Sequence, residues 1–263
     1  QGSRNSRGKP IVNMFPLQHG EKVNVVLPLT DGFRSFPADH YVFMATAQGT
    51  VKKTALDDFS NPRKAGIIAL NLADGDYLIG AALTDGKHDV MLFSDGGKAV
   101  RFDEEDVRPM GRSAAGVRGM KLEQTQKVIA MLVAEDETQS VLTATENGFG
   151  KRTSIVEYTR HGRGTKGMIA IQQTERNGKV VAATLVREAD EIMLIADNGV
   201  LVRTRVAEIR ELGRATQGVT LMALDTGAQL IGVQRIVEND ANADSAADSN
   251  GESDEASNPE ENS

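Results

Sequence analysis

Residues 141–153 read VLTATENGFGKRT, an apolar run, an Asn-Gly turn and a second run that ends in basic residues. Asn-Gly readily supplies the positive φ angles of a two-residue β-hairpin, so this stretch predicts one. Three further stretches have the same form: VFMATAQGTVKKT (42–54), VMLFSDGGKAVRF (90–102) and IMLIADNGVLVRT (192–204). The second residues of the four turns, all glycines, lie 48, 51 and 51 residues apart. The chain is therefore built on an internal repeat.

A second kind of segment alternates with the hairpins. In it a glycine leads into an apolar strand, which is followed by a turn and another strand, such as 78–83, 128–133 or 180–186. Short strands and regular turns at this period predict an all-β ring of four-stranded blades, with a β-sandwich of accidental self-similarity as the alternative. The five copies begin at Arg7-Gly8, Ala65-Gly66, Arg118-Gly119, Lys166-Gly167 and Gln217-Gly218.

The formal net charge of −7 is unevenly distributed along the 263 residues. Residues 238–263 hold nine acidic residues, no basic ones and no aromatics. This composition predicts a disordered acidic tail. Taking those nine from the 37 acidic residues leaves 28 against 30 basic ones, so residues 1–237 carry a net charge of +2. We expect residues 1–237 to form one mildly basic domain of about five repeats, truncated at its N-terminus.

Composition and spacing exclude several kinds of site. The chain has no cysteine, which rules out a disulfide scaffold, a thiol nucleophile and a thiolate zinc site, and which suits a reducing cytosol. No apolar run is long enough to span a membrane. The four histidines lack metal-ligand spacing, and the G-x-G-x-x-G match at 162–167 opens a strand instead of the helix that a dinucleotide site requires. No catalytic residue and no metal site are predicted.

Positive charge recurs in the repeat. A basic residue ends each hairpin at the same position, and the loop before the next glycine segment is basic as well. Equivalent positions of a ring lie on one rim, so the repeats predict a basic belt suited to a phosphate backbone. The alternative is that these charges merely solvate loops. The candidate DNA-binding residues are Lys52, Lys53, Arg63, Lys64, Lys98, Arg101, Arg112, Arg118, Lys151, Arg152, Arg163, Lys166, Arg203, Arg205 and Arg214.

At these residues the sequence resembles the C-terminal domain of the A subunits of bacterial DNA gyrases. The resemblance covers almost all of residues 1–237, and it implies a β-pinwheel, in which propeller-like blades exchange strands and duplex DNA wraps around a basic perimeter. The acidic tail also resembles that of some family members. Matching stretches include RGKPIVN (7–13), VFMATAQGTVKKT (42–54), DVMLFSDGGKAVRF (89–102), AGVRGMKL (115–122), ATENGFGKRT (144–153), TKGMIAI (165–171), GVLVRTRVAEI (199–209) and GRATQGV (213–219).

The resemblance also implies a role and partners. The domain is expected to be non-enzymatic, to bind double-stranded DNA without sequence preference, and to present it for ATP-dependent negative supercoiling by a parent type II topoisomerase, an isomerase. The implied partners are the gyrase B subunit, the rest of the gyrase A subunit, and DNA, in a cytoplasmic, nucleoid-associated heterotetramer without contact to a membrane. No cofactor is expected here, since ATP and Mg²⁺ would act elsewhere in the parent enzyme. The C-terminal domain of the topoisomerase IV C subunit, or else a propeller-type protein-interaction module, is the alternative.

Two departures from the family pattern concern the start of the chain. The seven-residue box Q-R-R-G-G-K-G is absent, because residues 1–4 read QGSR. The first hairpin is missing as well, so the first blade is predicted to be incomplete. Strands near 11–17 or 230–237 would then lack partners, and an open edge of this kind favours self-association.

Overall fold

The computed structural model describes residues 20–28 and 37–236, together with Gly8, Pro10, Asn13 and Leu17. The four predicted hairpins are present, and each turn glycine has a φ between 77° and 85°, as a two-residue turn requires. They consist of β1 (Tyr41–Thr46) with β2 (Thr50–Ala55), β4 (Asp89–Ser94) with β5 (Lys98–Asp103), β8 (Ser140–Thr145) with β9 (Phe149–Ser154), and β12 (Glu191–Ala196) with β13 (Leu201–Arg205).

Each hairpin belongs to one antiparallel sheet, or blade, and blades 1 to 4 follow in chain order. A seven-residue inner strand pairs with the first hairpin strand of each blade, and a two-residue outer strand pairs with the second hairpin strand of blades 1 to 3. The inner strands are β3 (Leu78–Thr84), β7 (Val128–Ala134), β11 (Val180–Val186) and β15 (Leu230–Ile236), and the outer strands are β6 (Val117–Arg118), β10 (Met168–Ile169) and β14 (Val219–Thr220).

The outer strand of a blade is donated by the following repeat. Blade 1 has the order β3-β1-β2-β6, although β6 comes after the hairpin of blade 2 in the chain. The same exchange joins β10 to blade 2 and β14 to blade 3. The all-β fold of strand-exchanging blades is therefore confirmed. In blade 4, whose order is β13-β12-β15, no outer strand covers β13 among the described residues.

One predicted boundary is wrong. The sequence predicts that the third glycine segment begins at Arg118-Gly119, but Gly116 is the residue that has a positive φ (87°) and directly precedes the outer strand. Gly167 and Gly218 hold the same place before β10 and β14, with φ of 75° and 79°. The extra glycine at position 119 caused the three-residue error.

Among the described residues, the hydrophobic core consists of three clusters, each between two neighbouring blades. Strand β4 shows why, because all six of its residues are buried. Val90 and Leu92 belong to the cluster shared with blade 1, whereas Met91 and Phe93 belong to the cluster shared with blade 3. Since side chains alternate across a strand, a middle blade is apolar on both faces.

A short 3₁₀ helix follows each hairpin, and its first residue is buried. That residue is apolar in blades 1, 3 and 4 but is Glu104 in blade 2. Each of these helices also carries at least one acidic residue, for example Glu157 in blade 3 and Glu208 in blade 4. Their bounds are Leu56–Phe59, Glu104–Asp106, Ile155–Glu157 and Val206–Glu208.

The predicted acidic tail, 238–263, and the predicted strand near 11–17 lie outside the described residues, apart from Asn13 and Leu17. The strand predicted near 230–237 is β15, which pairs with β12 and so does not lack a partner. Within the described ranges, no helix is long and apolar enough to cross a membrane.

Candidate nucleic-acid interface

The fifteen basic residues predicted to contact DNA fall into two groups. Lys52, Lys53, Arg101 and Lys151 are buried, with at most 6% of each residue exposed. The other eleven are half-buried or exposed. Because these four residues are buried, their charges need partners within the protein.

The basic residues that end the hairpins connect neighbouring blades. In blades 1 to 3 each of them donates to a backbone carbonyl at or next to the 3₁₀ helix of the following blade. These bonds run from Lys53 Nζ to Glu104 O (3.0 Å), from Arg101 Nη1 to Ile155 O (3.0 Å) and Tyr158 O (3.1 Å), and from Arg152 Nε to Ile209 O (2.8 Å). In the last described blade, Arg203 is half exposed and pairs with Glu191 of its own sheet.

Arg101 has the most extensive set of partners. Its Nη2 and Nε both lie 2.6 Å from Oδ2 of Asp89, which is also buried. The second oxygen of Asp89 lies 2.8 Å from the guanidinium of Arg160, which is more than half exposed. Removing either partner of this buried ion pair would leave the other charge buried and uncompensated, which is strongly destabilising. The ion pair with Asp89 lies within blade 2, and the bonds from Arg101 to the Ile155 and Tyr158 carbonyls hold blade 2 to blade 3.

Two buried lysines, one in blade 1 and one in blade 3, hold segments of the chain that lie outside the strands. Lys52 Nζ donates to Ala69 O at 2.9 Å and to Arg112 O, and Lys151 Nζ donates to Gly213 O and Arg214 O, both at 2.5 Å. Burial, opposed by Glu157 and assisted by Arg214, lowers the pKa of Lys151 to about 8. Burial also lowers the pKa of Lys52. At the position of Lys52 and Lys151 in the repeat, blades 2 and 4 have Val100 and Val202.

Three arginines recur on the outer rim, which we define as the outer strands and the loops 108–116, 159–167 and 210–218 that lead into them. Arg112 and Arg214 are half-buried and Arg163 is exposed. Each donates Nη1 to a carbonyl of the preceding glycine segment: Arg112 to Ile68 (3.1 Å), Arg163 to Arg118 (3.1 Å) and Arg214 to Ile169 (3.0 Å). The three are 51 residues apart and make the same contact in each repeat.

The remaining candidates reach solvent. Lys98 is half-buried and pairs with Glu123 at 3.0 Å. Arg63, Lys64, Arg118, Lys166 and Arg205 are exposed. Acidic groups lie among these cations, for example Glu157, whose Oε2 accepts the backbone N–H of Arg214 at 3.1 Å. Of these exposed residues, Arg118 and Lys166 lie on the outer rim together with the three repeated arginines, and the Glu157 carboxylate lies beside it.

One group of possible metal ligands occurs among the described residues. Donor atoms of Asp85, His88 and Glu104 lie within 4.8 Å of one another. Glu104 already accepts the hydroxyl proton of Thr84 at 2.5 Å, and Lys53 Nζ lies 3.9 Å from the same oxygen. The buried carboxylate is thus neutralised by Lys53 within the protein. The glycine-rich match at 162–167 precedes the two-residue strand β10 and not a helix, as its sequence predicts.

Comparison with known proteins identifies the family. The model of the family "DNA gyrase C-terminal domain, beta-propeller" matches residues 40–85, 88–135, 139–187 and 190–236. The DNA gyrase A subunit of Salmonella typhimurium is 52% identical over 238 residues, which cover 90% of this chain and 26% of that protein. The DNA gyrase A subunit of Escherichia coli K12 is 49% identical, with 90% and 27% covered. The chain thus spans about a quarter of these relatives.

Two solved structures have the same fold. The C-terminal domain of DNA topoisomerase IV gives a TM-score of 0.81 at 25% identity and covers 87% of this chain and 70% of that chain. The DNA gyrase A C-terminal domain gives 0.78 at 27% identity, with 88% and 76% covered. Because the four family matches take up most of the chain, and because the quoted relatives near 50% identity are gyrase A subunits, the chain belongs to the β-propeller family of DNA gyrase C-terminal domains.

Proposed function

We propose that this chain is a non-catalytic module that binds duplex DNA without sequence preference and wraps it along the outer rim. The observation that carries the proposal is the row of Arg112, Arg163 and Arg214, one in each of three successive repeats and each held by a carbonyl. Repeated cations on the perimeter of a curved body match a backbone whose phosphates are evenly spaced.

The chemistry of these arginines supports phosphate binding. A guanidinium has five N–H donors, and the carbonyl contacts use only one in Arg112 and Arg214 and two in Arg163. The remaining donors that face solvent can bind a phosphate in charge-assisted fashion, whereas the Nε of Arg214 is buried. Holding the guanidinium in advance reduces the entropy that is lost on binding. Among the described residues there is no α-helix to enter a major groove, which favours contacts to the backbone over base readout.

The family supplies the setting of this activity. The quoted relatives are gyrase A subunits, so we propose that the module works within gyrase, beside the B subunit, the remainder of its own A subunit, and the DNA that both engage. There it would present wrapped DNA for ATP-dependent negative supercoiling. Cleavage of DNA and the use of ATP and Mg²⁺ would belong to other parts of that enzyme.

The dependence of DNA affinity on salt concentration tests the proposal. Contact with about 6–10 phosphates should give a slope of log affinity against log salt of roughly −5 to −9, equal for unrelated sequences. A slope near zero, as expected of a protein-interaction module, would refute DNA binding along a basic rim. A slope that differs between sequences would refute the absence of base readout.

A further inference from the structure

Blade 2 has a valine at the position where blades 1 and 3 bury a lysine. Val100 lies in β5, 48 residues after Lys52 and 51 residues before Lys151. It is 2% exposed, so it lies as deep in the protein as the two lysines, which are 0% exposed. A valine side chain is shorter than that of lysine and has no N–H donor. Blade 2 therefore leaves without a lysine the surroundings that receive an ammonium group in blades 1 and 3.

The carbonyl groups that receive the ammonium recur in blade 2. In blade 3, Lys151 Nζ donates to Gly213 O and Arg214 O, both at 2.5 Å. The residues 51 positions earlier are Gly162 and Arg163. Their carbonyl oxygens accept no hydrogen bond from any of the described residues. Two acceptors are thus available at the place that corresponds to the lysine site of blade 3.

A cavity of about 360 Å³ lies beside Val100. Val100 and Met168 contribute to its wall, and Gly162 brings the carbonyl-bearing loop to it. His161 and Lys166 also line the cavity and are themselves exposed, so a small molecule can enter it from the outer rim. The volume is at the lower end of the range of about 300–1,000 Å³ that is usual for small-molecule sites.

The carboxylate that accompanies the buried lysines recurs as well. Burial lowers the pKa of Lys52 and of Lys151, and Asp58 and Glu157, respectively, oppose that lowering. The residue at their position in blade 2 is Asp106, 48 residues after Asp58 and 51 before Glu157. Its carboxylate makes no hydrogen bond or ion pair within the described part of the chain. Blade 2 thus retains a negative charge that can compensate a bound cation.

The arginine beside the cavity does not exclude a cation. In blade 3, burial and the nearby Arg214 lower the pKa of Lys151 to about 8, and its ammonium group is nevertheless held by two carbonyls. Arg163 takes the place of Arg214 in blade 2 and directs its guanidinium at Asp106 O (3.0 Å) and Arg118 O (3.1 Å). These two bonds fix the loop, so its carbonyls need little further ordering when a ligand binds.

We propose that this cavity binds a small primary alkylammonium ion. The ammonium group donates to Gly162 O and Arg163 O, and its third N–H faces the side of Asp106, so that all three donors can make charge-assisted hydrogen bonds. The alkyl chain packs on Val100 and Met168. The ligand thus supplies from outside the group that Lys52 and Lys151 supply from within the chain, which is a function separate from DNA binding.

Titration of the full chain with n-butylammonium chloride, followed by ¹H–¹⁵N NMR at constant ionic strength and without DNA, tests the proposal. We expect saturable shift changes at the backbone amides of residues 161–168, with half-saturation at about 1–10 mM for a ligand of this size. Tetramethylammonium has no N–H donor and potassium has no alkyl chain, so neither should produce these changes. Amides that do not respond to butylammonium, or that respond equally to all three cations, would overturn the proposal.

Three variants locate the site. Val100→Lys should fold and lose the response, because its own ammonium group occupies the carbonyls. Val202→Lys, the same substitution in blade 4, is the matched control and should respond like the natural chain. Lys151→Val should gain a second set of saturable changes, at residues 212–219.

Circular dichroism verifies that each variant folds. A Val100→Lys variant that fails to fold, or that still binds butylammonium, would overturn the equivalence of the cavity with the lysine sites, as would a folded Lys151→Val variant without the second set. Because the titration contains no DNA, its failure would leave the salt dependence of DNA binding unaffected.

Discussion

Replacing Arg101 by methionine should destabilise the fold strongly while leaving the DNA affinity of the folded molecules almost unchanged. The sequence pattern alone places Arg101 among the DNA-binding residues, whereas the structure buries it between blades 2 and 3. Methionine fills much of the same volume and removes the charge. The substitution therefore separates a role in the blade interface from a role in DNA binding.

The size of the loss follows from the contacts. The substitution leaves the buried Asp89 carboxylate without its 2.6 Å partner and removes the donor to two carbonyls. Breaking a buried pair from one side costs about 3–5 kcal/mol. Arg160 still lies 2.8 Å from the other oxygen of Asp89, so the lower end, about 3 kcal/mol, is expected. For a domain of this size that corresponds to a fall in Tm of roughly 6–12 °C.

Urea unfolding followed by circular dichroism measures this loss, and DNA titrations well below the Tm measure affinity and its salt slope. Lys166→Met is the matched control, because Lys166 is exposed on the outer rim. It should change stability by no more than about 0.5 kcal/mol and make the salt slope shallower by about one. If Arg101→Met were as stable as Lys166→Met and also flattened the salt slope, Arg101 would contact DNA and the assignment to the blade interface would be wrong.

Three further outcomes are expected. Between about pH 8 and 10.5, the pKa of an unfolded lysine, the native chain has lost the Lys151 proton that the unfolded chain keeps, so the free energy of unfolding rises with pH. Lys151→Val, which introduces the residue that blade 2 has as Val100, should remove that rise in urea unfolding. An equal rise in the variant would contradict the burial of the ammonium group. The hydrogen bond from the Thr138 hydroxyl is the main cause that lowers the Asp136 pKa to about 2. Thr138→Val should therefore move that pKa towards 3.8 in an NMR titration, and an unchanged pKa would refute this cause. Removing residues 238–263, with their nine carboxylates, should raise DNA affinity at low salt. It should have little effect at high salt, where charges are screened within a few ångströms. Unchanged affinity at low salt would exclude competition between these carboxylates and DNA phosphates.

The fold could be predicted from the sequence because its signals are local. Each hairpin is marked by a glycine turn between two apolar runs, and the regular spacing then indicates a ring of blades. The start of the outer strand in blade 1 could not be read in the same way. Residues 115–119 contain two glycines, and only the structure shows that Gly116, which directly precedes the paired Val117, is the one in the left-handed conformation.

The position of the basic side chains depends on residues far away in the sequence. The local sequence around Lys53 and Arg101 is that of surface charges. Their acceptors, Glu104 O and Ile155 O, lie in the next repeat, 51 and 54 residues later in the chain. One signal was available, however. These residues lie within strands of blades that pack on both faces, so either direction of the side chain leads into an interface. The loop residues Arg112, Arg163 and Arg214 are not subject to this constraint, and they reach the outer rim.

Ligation of nicked circular DNA in the presence of the protein tests the central claim most directly, because wrapping DNA around the protein changes the linking number of the closed product, whereas binding that neither wraps nor untwists the duplex leaves it unchanged. We predict a distribution of topoisomers that shifts in one direction as the protein approaches saturation, and a smaller shift for a variant in which Arg118 and Lys166, both on the outer rim, are replaced by alanine. A saturating amount of bound protein that leaves the linking number unchanged would contradict wrapping along the outer rim.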